Sequence, residues 1–331
     1  MSVLQDLNDR AAARPAHIVL SEGHDPRVVA GAVDAVTAGI ATITLVGPMA
    51  EVSARLNEAG GADSGIAIQD PKTSELTKEF TQTYFELRKH KGVSQEVAAT
   101  QAHAPLMFAA MMVRNGHADG TVGGAVATTS DTVRAALQII GKAKSAPLVS
   151  SFFLMALPEN HPSGRSAMVF GDCGLVIDPN AQELAAIAAA SAASCQQLLG
   201  DTPKVALLSF STMGSARHAT VTKVTDALQI LRAEHPDLTA DGELQFDAAF
   251  VPEVGASKAP GSDVAGHANV MIFPNLDAGN IGYKIAQRIG GCQAIGPVLQ
   301  GLAKPANDLS RGCTARDVTN MIAVTTLQAA L

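Results

Sequence analysis

Along this chain, short apolar runs alternate with longer stretches in which apolar positions recur at intervals of three and four residues. Residues 17–20 read as a strand and 26–39 as an amphipathic helix. Residues 41–46 form a second strand with a helix over 49–59 behind it, and 66–69 a third, followed by a helix from about 74 to 90. Residues 118–122 run as a strand into a glycine-rich turn, with a helix over 129–140. The middle is different: 149–157 and 166–170 are both strand-like, with only the turn-rich 158–165 between them, which predicts a hairpin and a change of domain. Alternation then resumes. Leu184, Ile187, Ala188, Cys195 and Leu198 share one helix face, 204–210 is a strand, and Val221, Val224, Leu228 and Leu231 mark another helix. A strand over 270–273, a helix over 281–289, a strand over 294–299 and a helix over 316–330 complete the pattern.

This pattern predicts an α/β protein with mainly parallel sheets covered by helices on both faces, and with sites in loops at the carboxyl ends of the strands. One linker-like stretch stands out, residues 251–266, rich in Pro, Gly, Ser and Ala; it reads as a linker or as a mobile surface loop.

A length of 331 residues suits one large α/β unit or two domains. The net charge of −7 argues against nucleic acid or an anionic membrane as the main partner, so an anionic substrate requires a local basic site. Cys173, Cys195, Cys292 and Cys313 are widely spaced, without a CxxC pair, which suggests neither a zinc site nor a disulfide framework; reduced thiols fit a cytoplasmic protein. The opening MSVLQDLNDR lacks the basic and apolar segments of a signal peptide, and no apolar run is long enough to span a bilayer.

The segment GLAKPANDLSRGCTARD, residues 301–317, gathers the most chemistry. Lys304-Pro305 and Asn307-Asp308 read as turns, followed by Ser310-Arg311-Gly312 and a helix start at Thr314. Backbone amides, a hydroxyl and a guanidinium meeting at a helix N-terminus suit a phosphate, although a capped helix after a loop has the same sequence. GTVGGA, residues 120–125, is not a dinucleotide fingerprint; it points to close backbone packing or to a ligand.

The run VMIFPNLDAGNIGYKIAQRIGGCQAIGPVLQGLAKPANDLSRGCT, residues 270–314, closely resembles the phosphate acetyl/butyryltransferase family, the phosphotransacetylases. IVLSEGHDPRV at 18–28, YFELRKHKG at 84–92, DTVRAALQ at 131–138, SSFFLM at 150–155, FGDCGLVIDPN at 170–180 and LLSFSTMGSA at 207–216 extend the resemblance in collinear order over almost the whole chain. The resemblance implies two αβα domains with mainly parallel sheets flanking a cleft, similar to isocitrate and isopropylmalate dehydrogenases, one from 1–145 with 300–331 and the other from 146–299. It further implies a homodimer and reversible acetyl transfer between coenzyme A and inorganic phosphate by direct attack in a ternary complex. Coenzyme A is then a substrate, and no cofactor or metal is expected. The family's catalytic positions fall on Ser310, Arg311 and Asp317, and its anion-binding arginines on Arg88 and Arg134. A phosphate butyryltransferase and a non-catalytic acyl-CoA-sensing domain are the alternatives.

The residue types suit that reaction. A thiol titrating near ~8.5 benefits from a base, for which Asp317 is the candidate. Phosphate suits the planar fork of Arg311 with Arg134 or Arg88, and Ser310 suits a developing oxyanion. Each has a structural reading as well: Thr314-Ala315-Arg316-Asp317 is spaced as a capping box, Arg88 as a helix-end cap, Arg134 as a surface arginine, Ser310 as a turn residue, and Cys313 as a packed thiol. Asn180, Asn307 and Asp308 read as turn or capping groups or as supports of the site. The chain departs from the family pattern at Met213, where a lysine often follows FST, and at Ala127, where a histidine often precedes TT, which bears on the contacts those two side chains make.

Overall fold

The structure, a computed structural model, describes residues 2–330. The chain folds as two compact units: Ser145–Gly301 forms one, and Leu4–Lys144 with the chain from Leu302 onward forms the other. In chain order the discontinuous unit begins with α1 (Val3–Ala12), β1 (Ala16–Leu20), α2 (Pro26–Thr37), β2 (Ala41–Val46), α3 (Met49–Glu58) and β3 (Ala67–Gln69). It continues through α4 (Leu76–Arg88), α5 (Gln95–Ala102), α6 (Pro105–Asn115), β4 (Gly120–Gly123) and α7 (Thr129–Ala135). The continuous unit holds β5 (Ser150–Ala156), β6 (Ala167–Gly171), α8 (Ala181–Leu199), β7 (Val205–Leu208), α9 (Ala219–Glu234) and β8 (Ala240–Leu244). Its remaining elements are α10 (Phe246–Phe250), α11 (Pro252–Lys258), β9 (Val270–Ile272), α12 (Leu276–Arg288) and β10 (Gln293–Gln300). β11 (Ala306–Asp308) and α13 (Ala315–Ala329) then return to the first unit.

In the discontinuous unit the sheet runs β11-β4-β1-β2-β3, and every pairing is parallel. Ile18, Val19 and Leu20 of β1 are fully buried at its centre, as an apolar strand covered on both faces requires. The chain winds from β1 to β2 and β3 on one side and places β4 and β11 on the other. The winding therefore reverses between β1 and β4, where open α/β sheets leave a crevice at their carboxyl edge. α2 starts at an Asp25 cap with Pro26 in its first turn, and α13 crosses it closely: a Cβ on Gly31 would lie 2.6 Å from Ala315 O and 2.6 Å from Val318 Cβ.

The continuous unit has the order β10-β5-β6-β9-β7-β8. β5 and β6 are the antiparallel hairpin expected from the two adjacent apolar runs, and β10 pairs antiparallel with β5 from Gln293 to Gln300. β6, β9, β7 and β8 are parallel. Phe153, Met155, Phe170 and Met271 lie in the core of this unit, and Tyr283 of α12 stacks on Phe153 at 4.0 Å.

Two readings are corrected, and one strand is added to those the pattern predicts. Residues 251–266 are no linker: they contain α11, entered through Pro252, and Ala259, Val264 and Ala265 are buried in the core. Asn307-Asp308 is not a turn but the end of β11, held parallel to β4. The strand β8 carries Asp241 and Glu243, which hide its apolar pattern; Arg232 compensates Asp241 at 3.0 Å, while Ser211 Oγ and Gly214 N donate to Glu243 at 2.8 Å each. Among the described residues no helix is long and apolar enough to cross a membrane.

Candidate active site at the carboxyl ends of β1, β4 and β11

Three neighbouring strands of the discontinuous unit release their loops on the same edge of the sheet. β1 opens into Ser21, Glu22, Gly23, His24 and Asp25. β4 opens into the loop that ends at Thr128, the cap of α7, and β11 into the turn that ends at Thr314, the cap of α13. Two residues tie these loops together. Buried Glu22 accepts from the amides of Ala125 (2.7 Å), Val126 (3.1 Å) and Ala127 (2.7 Å), so its carboxylate satisfies three donors ahead of α7. Arg27 donates through Nη1 to Arg311 O at 2.7 Å and Cys313 O at 3.2 Å, and through Nη2 to Ala125 O at 2.8 Å. Asp25 pairs with the same guanidinium at 2.8 Å; burial alone would raise its carboxyl, but the Arg27 contacts hold it below the ordinary range.

The glycines of GTVGGA serve close approach. A Cβ on Gly123 would lie 2.3 Å from Ser21 Oγ, and Gly124, at φ +98°, leaves room for the Asp308 carboxyl. Leu309 N donates to Gly123 O at 2.7 Å and continues the β11–β4 pairing up to the turn.

Ser310, Arg311 and Asp317 lie on one exposed stretch at this edge. Ser310 Oγ accepts from Gly312 N at 3.2 Å, which leaves its own hydrogen free to donate elsewhere. The Arg311 side chain has no hydrogen bond or ion pair among the described residues. Asp317 forms the capping box its spacing predicts: Oδ2 accepts from Thr314 N at 2.8 Å and Thr314 Oγ1 at 2.9 Å, and Oδ1 makes no hydrogen bond among the described residues. Cys313 is buried, which raises its thiol, as a packed cysteine.

The two remaining arginines differ. Arg134, on the exposed face of α7, donates to Asp131 Oδ1 at 2.7 Å and to Ser130 Oγ at 3.3 Å, the local pairing of a surface arginine. Arg88 ends α4, and its Nε is buried with no hydrogen-bond partner among the described residues, which a surface cap does not explain. Tyr84, one turn before Arg88, meets Gln138, one turn after Arg134, at 3.5 Å.

Asn180 caps α8 with Glu183, and buried Asn307 donates to Thr325 Oγ1 at 2.9 Å and Gln328 Oε1 at 2.7 Å, so both take the structural role. Ala127 offers its amide to Glu22, and Met213 stands exposed on the loop after β7 in the left-handed region at φ 48°. The sequence pattern does not single out Glu22 and Arg27, which tie the loops after β1, β4 and β11 together. The available signal was SEGHDPR itself: an acid and an arginine in a glycine-containing loop directly after a strand. Among the described residues no group of three or more His, Cys, Asp or Glu side chains is placed to hold a metal ion.

Residues 2–326 match the model of the family described as phosphate acetyl/butaryl transferase. The chain belongs to this family. It is 50% identical over 329 residues to a phosphate acetyltransferase of Paracoccus denitrificans, covering 99% of both chains, and 42% identical to one from Bacillus subtilis over 98% of both. Among solved structures, a phosphotransacetylase from Streptococcus pyogenes superposes with a TM-score of 0.92 at 44% identity, covering 99% of this chain and 98% of that one. A 4-hydroxythreonine-4-phosphate dehydrogenase from Klebsiella pneumoniae shares the fold alone, with a TM-score of 0.53 at 10% identity over 96% of this chain and 99% of that one. The α/β architecture of this phosphate acetyl/butaryl transferase family member is thus dehydrogenase-like in fold, as the family resemblance implies.

Proposed function

We propose that the chain is a phosphate acetyltransferase, which interconverts acetyl-CoA plus inorganic phosphate with acetyl phosphate plus coenzyme A. What carries this reading is the end-to-end similarity, at 50% identity, to a relative of that name. The turn bearing Ser310 and Arg311, exposed beside the winding reversal of the sheet, supports it.

In the direction of thioester synthesis, Asp317 Oδ1 takes the proton of the coenzyme A thiol while Oδ2 stays in the helix cap and fixes the carboxylate. The sulfur attacks the acetyl carbon, the bond from that carbon to the phosphate oxygen breaks, and inorganic phosphate leaves. Ser310 donates to the oxygen on which negative charge develops. Arg311, unpaired in the structure, takes the phosphoryl oxygens with its planar fork. Arg88 and Arg134 hold anionic groups of the substrates, Arg134 by exchanging Asp131 for them. Ser310 lies on a turn rather than on a strand-to-helix elbow, which favours direct transfer in a ternary complex over an acyl-enzyme. The reaction needs no cofactor beyond coenzyme A as substrate, and no metal.

The same reading includes a cytoplasmic homodimer. The four cysteines are all free, which fits a reducing compartment. Ile281, Ile285 and Ile289, at 58%, 52% and 83% exposure, form an apolar stripe at four-residue spacing along and just beyond α12, which suits a second copy of the chain.

The test is an assay of the purified chain with acetyl phosphate and coenzyme A, following thioester absorbance in the presence of a chelator. Thioester formation that disappears in Arg311→Gln is expected; a folded wild-type chain that forms none overturns the reading.

A further inference from the structure

The floor of the site holds a carboxyl that the scheme above does not use. Asp308 closes β11 two residues before Ser310 and is fully buried. Both of its carboxyl oxygens lack a well-formed hydrogen bond among the described residues, although the hydroxyls of Thr129 and Thr132 on α7 approach closely enough to favour its charge. The facing loop is shaped to admit it, because a Cβ on Gly124 would lie 2.1 Å from Asp308 Oδ1. A carboxylate buried in this way is costly unless a counter-charge or a proton compensates it. The charged groups acting on it are Glu22, from the β1–α2 loop, and Arg311, on its own loop; α7 contributes only the two hydroxyls. Burial, with Glu22 adding to it, pushes the Asp308 carboxyl up to about 6 against the pull of the threonines and Arg311.

We infer that Asp308 is a proton-linked positioning residue beneath the anion site: it is a counter-charge to Arg311 before an anion arrives, and it holds a proton while a doubly negative phosphoryl group sits on Arg311. The inference rests on the reading of Arg311 as the phosphate ligand. Without the proton, a dianion bound at Arg311 would add its charge to those of Asp308 and Glu22, which already act on each other. Protonation of Asp308 removes one of these charges without moving a loop, because the acid and the carboxylate fill the same space. The proton comes from solvent on anion binding and returns to it on release.

Sulfate is the probe, since it remains a dianion and does not react. Its binding to the wild-type, Asp308→Asn, Arg311→Gln and His24→Gln chains is measured by calorimetry from about pH 5 to about pH 8, in two buffers of different protonation enthalpy. His24→Gln controls for the histidine on the β1–α2 loop. The wild type is expected to take up a fraction of a proton with sulfate and to bind it roughly tenfold more weakly at the alkaline end than at the acid end. Asp308→Asn is expected to bind without proton uptake or pH dependence, and more tightly than wild type at the alkaline end; His24→Gln should follow wild type. Wild-type binding that needs Arg311 but shows neither proton uptake nor pH dependence overturns the role of Asp308 alone, as does loss of uptake in His24→Gln. Unchanged sulfate binding in Arg311→Gln overturns the phosphate reading of Arg311 and this inference with it. The wild-type and His24→Gln measurements decide the matter even if Asp308→Asn does not fold.

Discussion

Asp317 forms a helix cap and is the proposed base, and the loss of each role has a different signature. As a cap it stabilises α13 by about 1 kcal/mol, so Asp317→Ala should lower the melting temperature. As the proposed base it would act on turnover. Asp317→Asn keeps an oxygen for the Thr314 amide and should melt near the wild-type temperature while kcat falls roughly 10²- to 10⁴-fold. Near-wild-type kcat in a destabilised Asp317→Ala would leave only the cap. Arg311→Lys replaces a planar fork by a point charge and should lower kcat/KM for acetyl phosphate roughly tenfold or more, whereas wild-type kinetics would remove Arg311 from the site. Asp308 gives a stability forecast whose sign follows from linkage. Its folded pKa, about 6, lies above the 3.8 of the free group, so the folded state holds the proton more tightly. That contribution is complete below the free value and is lost as pH rises through the folded one, leaving an ionised buried carboxylate that costs on the order of 3 kcal/mol at neutral pH. Asp308→Asn should therefore melt higher than wild type at neutral pH, with the gap closing towards pH ~4; a variant that melts lower at neutral pH would show that the carboxylate is stabilising.

At the scale of elements, periodicity was legible wherever burial was one-sided or complete and apolar, as in α2, β2 and the β5–β6 hairpin. It failed where polar groups are buried with local compensation. β11 is the tripeptide Ala306-Asn307-Asp308, two-thirds polar, and only its pairing with β4 makes it a strand. α6 is buried on all sides from Met107 to Val113, so no face of it stands out in the sequence. The α2–α13 crossing carries a further prediction. Gly31→Ala places a methyl 2.6 Å from Ala315 O, which forces the two helices apart and moves the start of α13 that bears Thr314 and Asp317. A loss of about 1–3 kcal/mol is expected in denaturant unfolding, with a lowered kcat in the fraction that remains folded; unchanged unfolding and turnover would show that the crossing absorbs a methyl. The isoleucine stripe of α12 is tested by Ile285→Glu: light scattering should give the mass of two chains for wild type and of one for the variant, and a single-chain mass for wild type would remove the dimer.

At the scale of the molecule, the alternation of strands and helices made the α/β class readable, and the assignment of Ser310, Arg311 and Asp317 came from resemblance because their own stretch reads equally well as a capped turn. Glu22 and Arg27 were not legible, since the partners that give them meaning are far off in sequence: Arg27 meets the carbonyl of a residue 284 positions later. That separation has a consequence in time. A ribosome completes β1 to β4 and then the whole of Ser145–Gly301 before β11 and α13 exist. At usual elongation rates this delay is on the order of ten seconds or longer. For that interval the nascent sheet ends at β4, with the backbone groups that β11 will later take left unpaired, and Arg27 has no carbonyls of the 311–313 turn to hold. The turn bearing Ser310 and Arg311 is thus among the last parts of the molecule to be made, and a chain released early carries an open strand edge and lacks that turn.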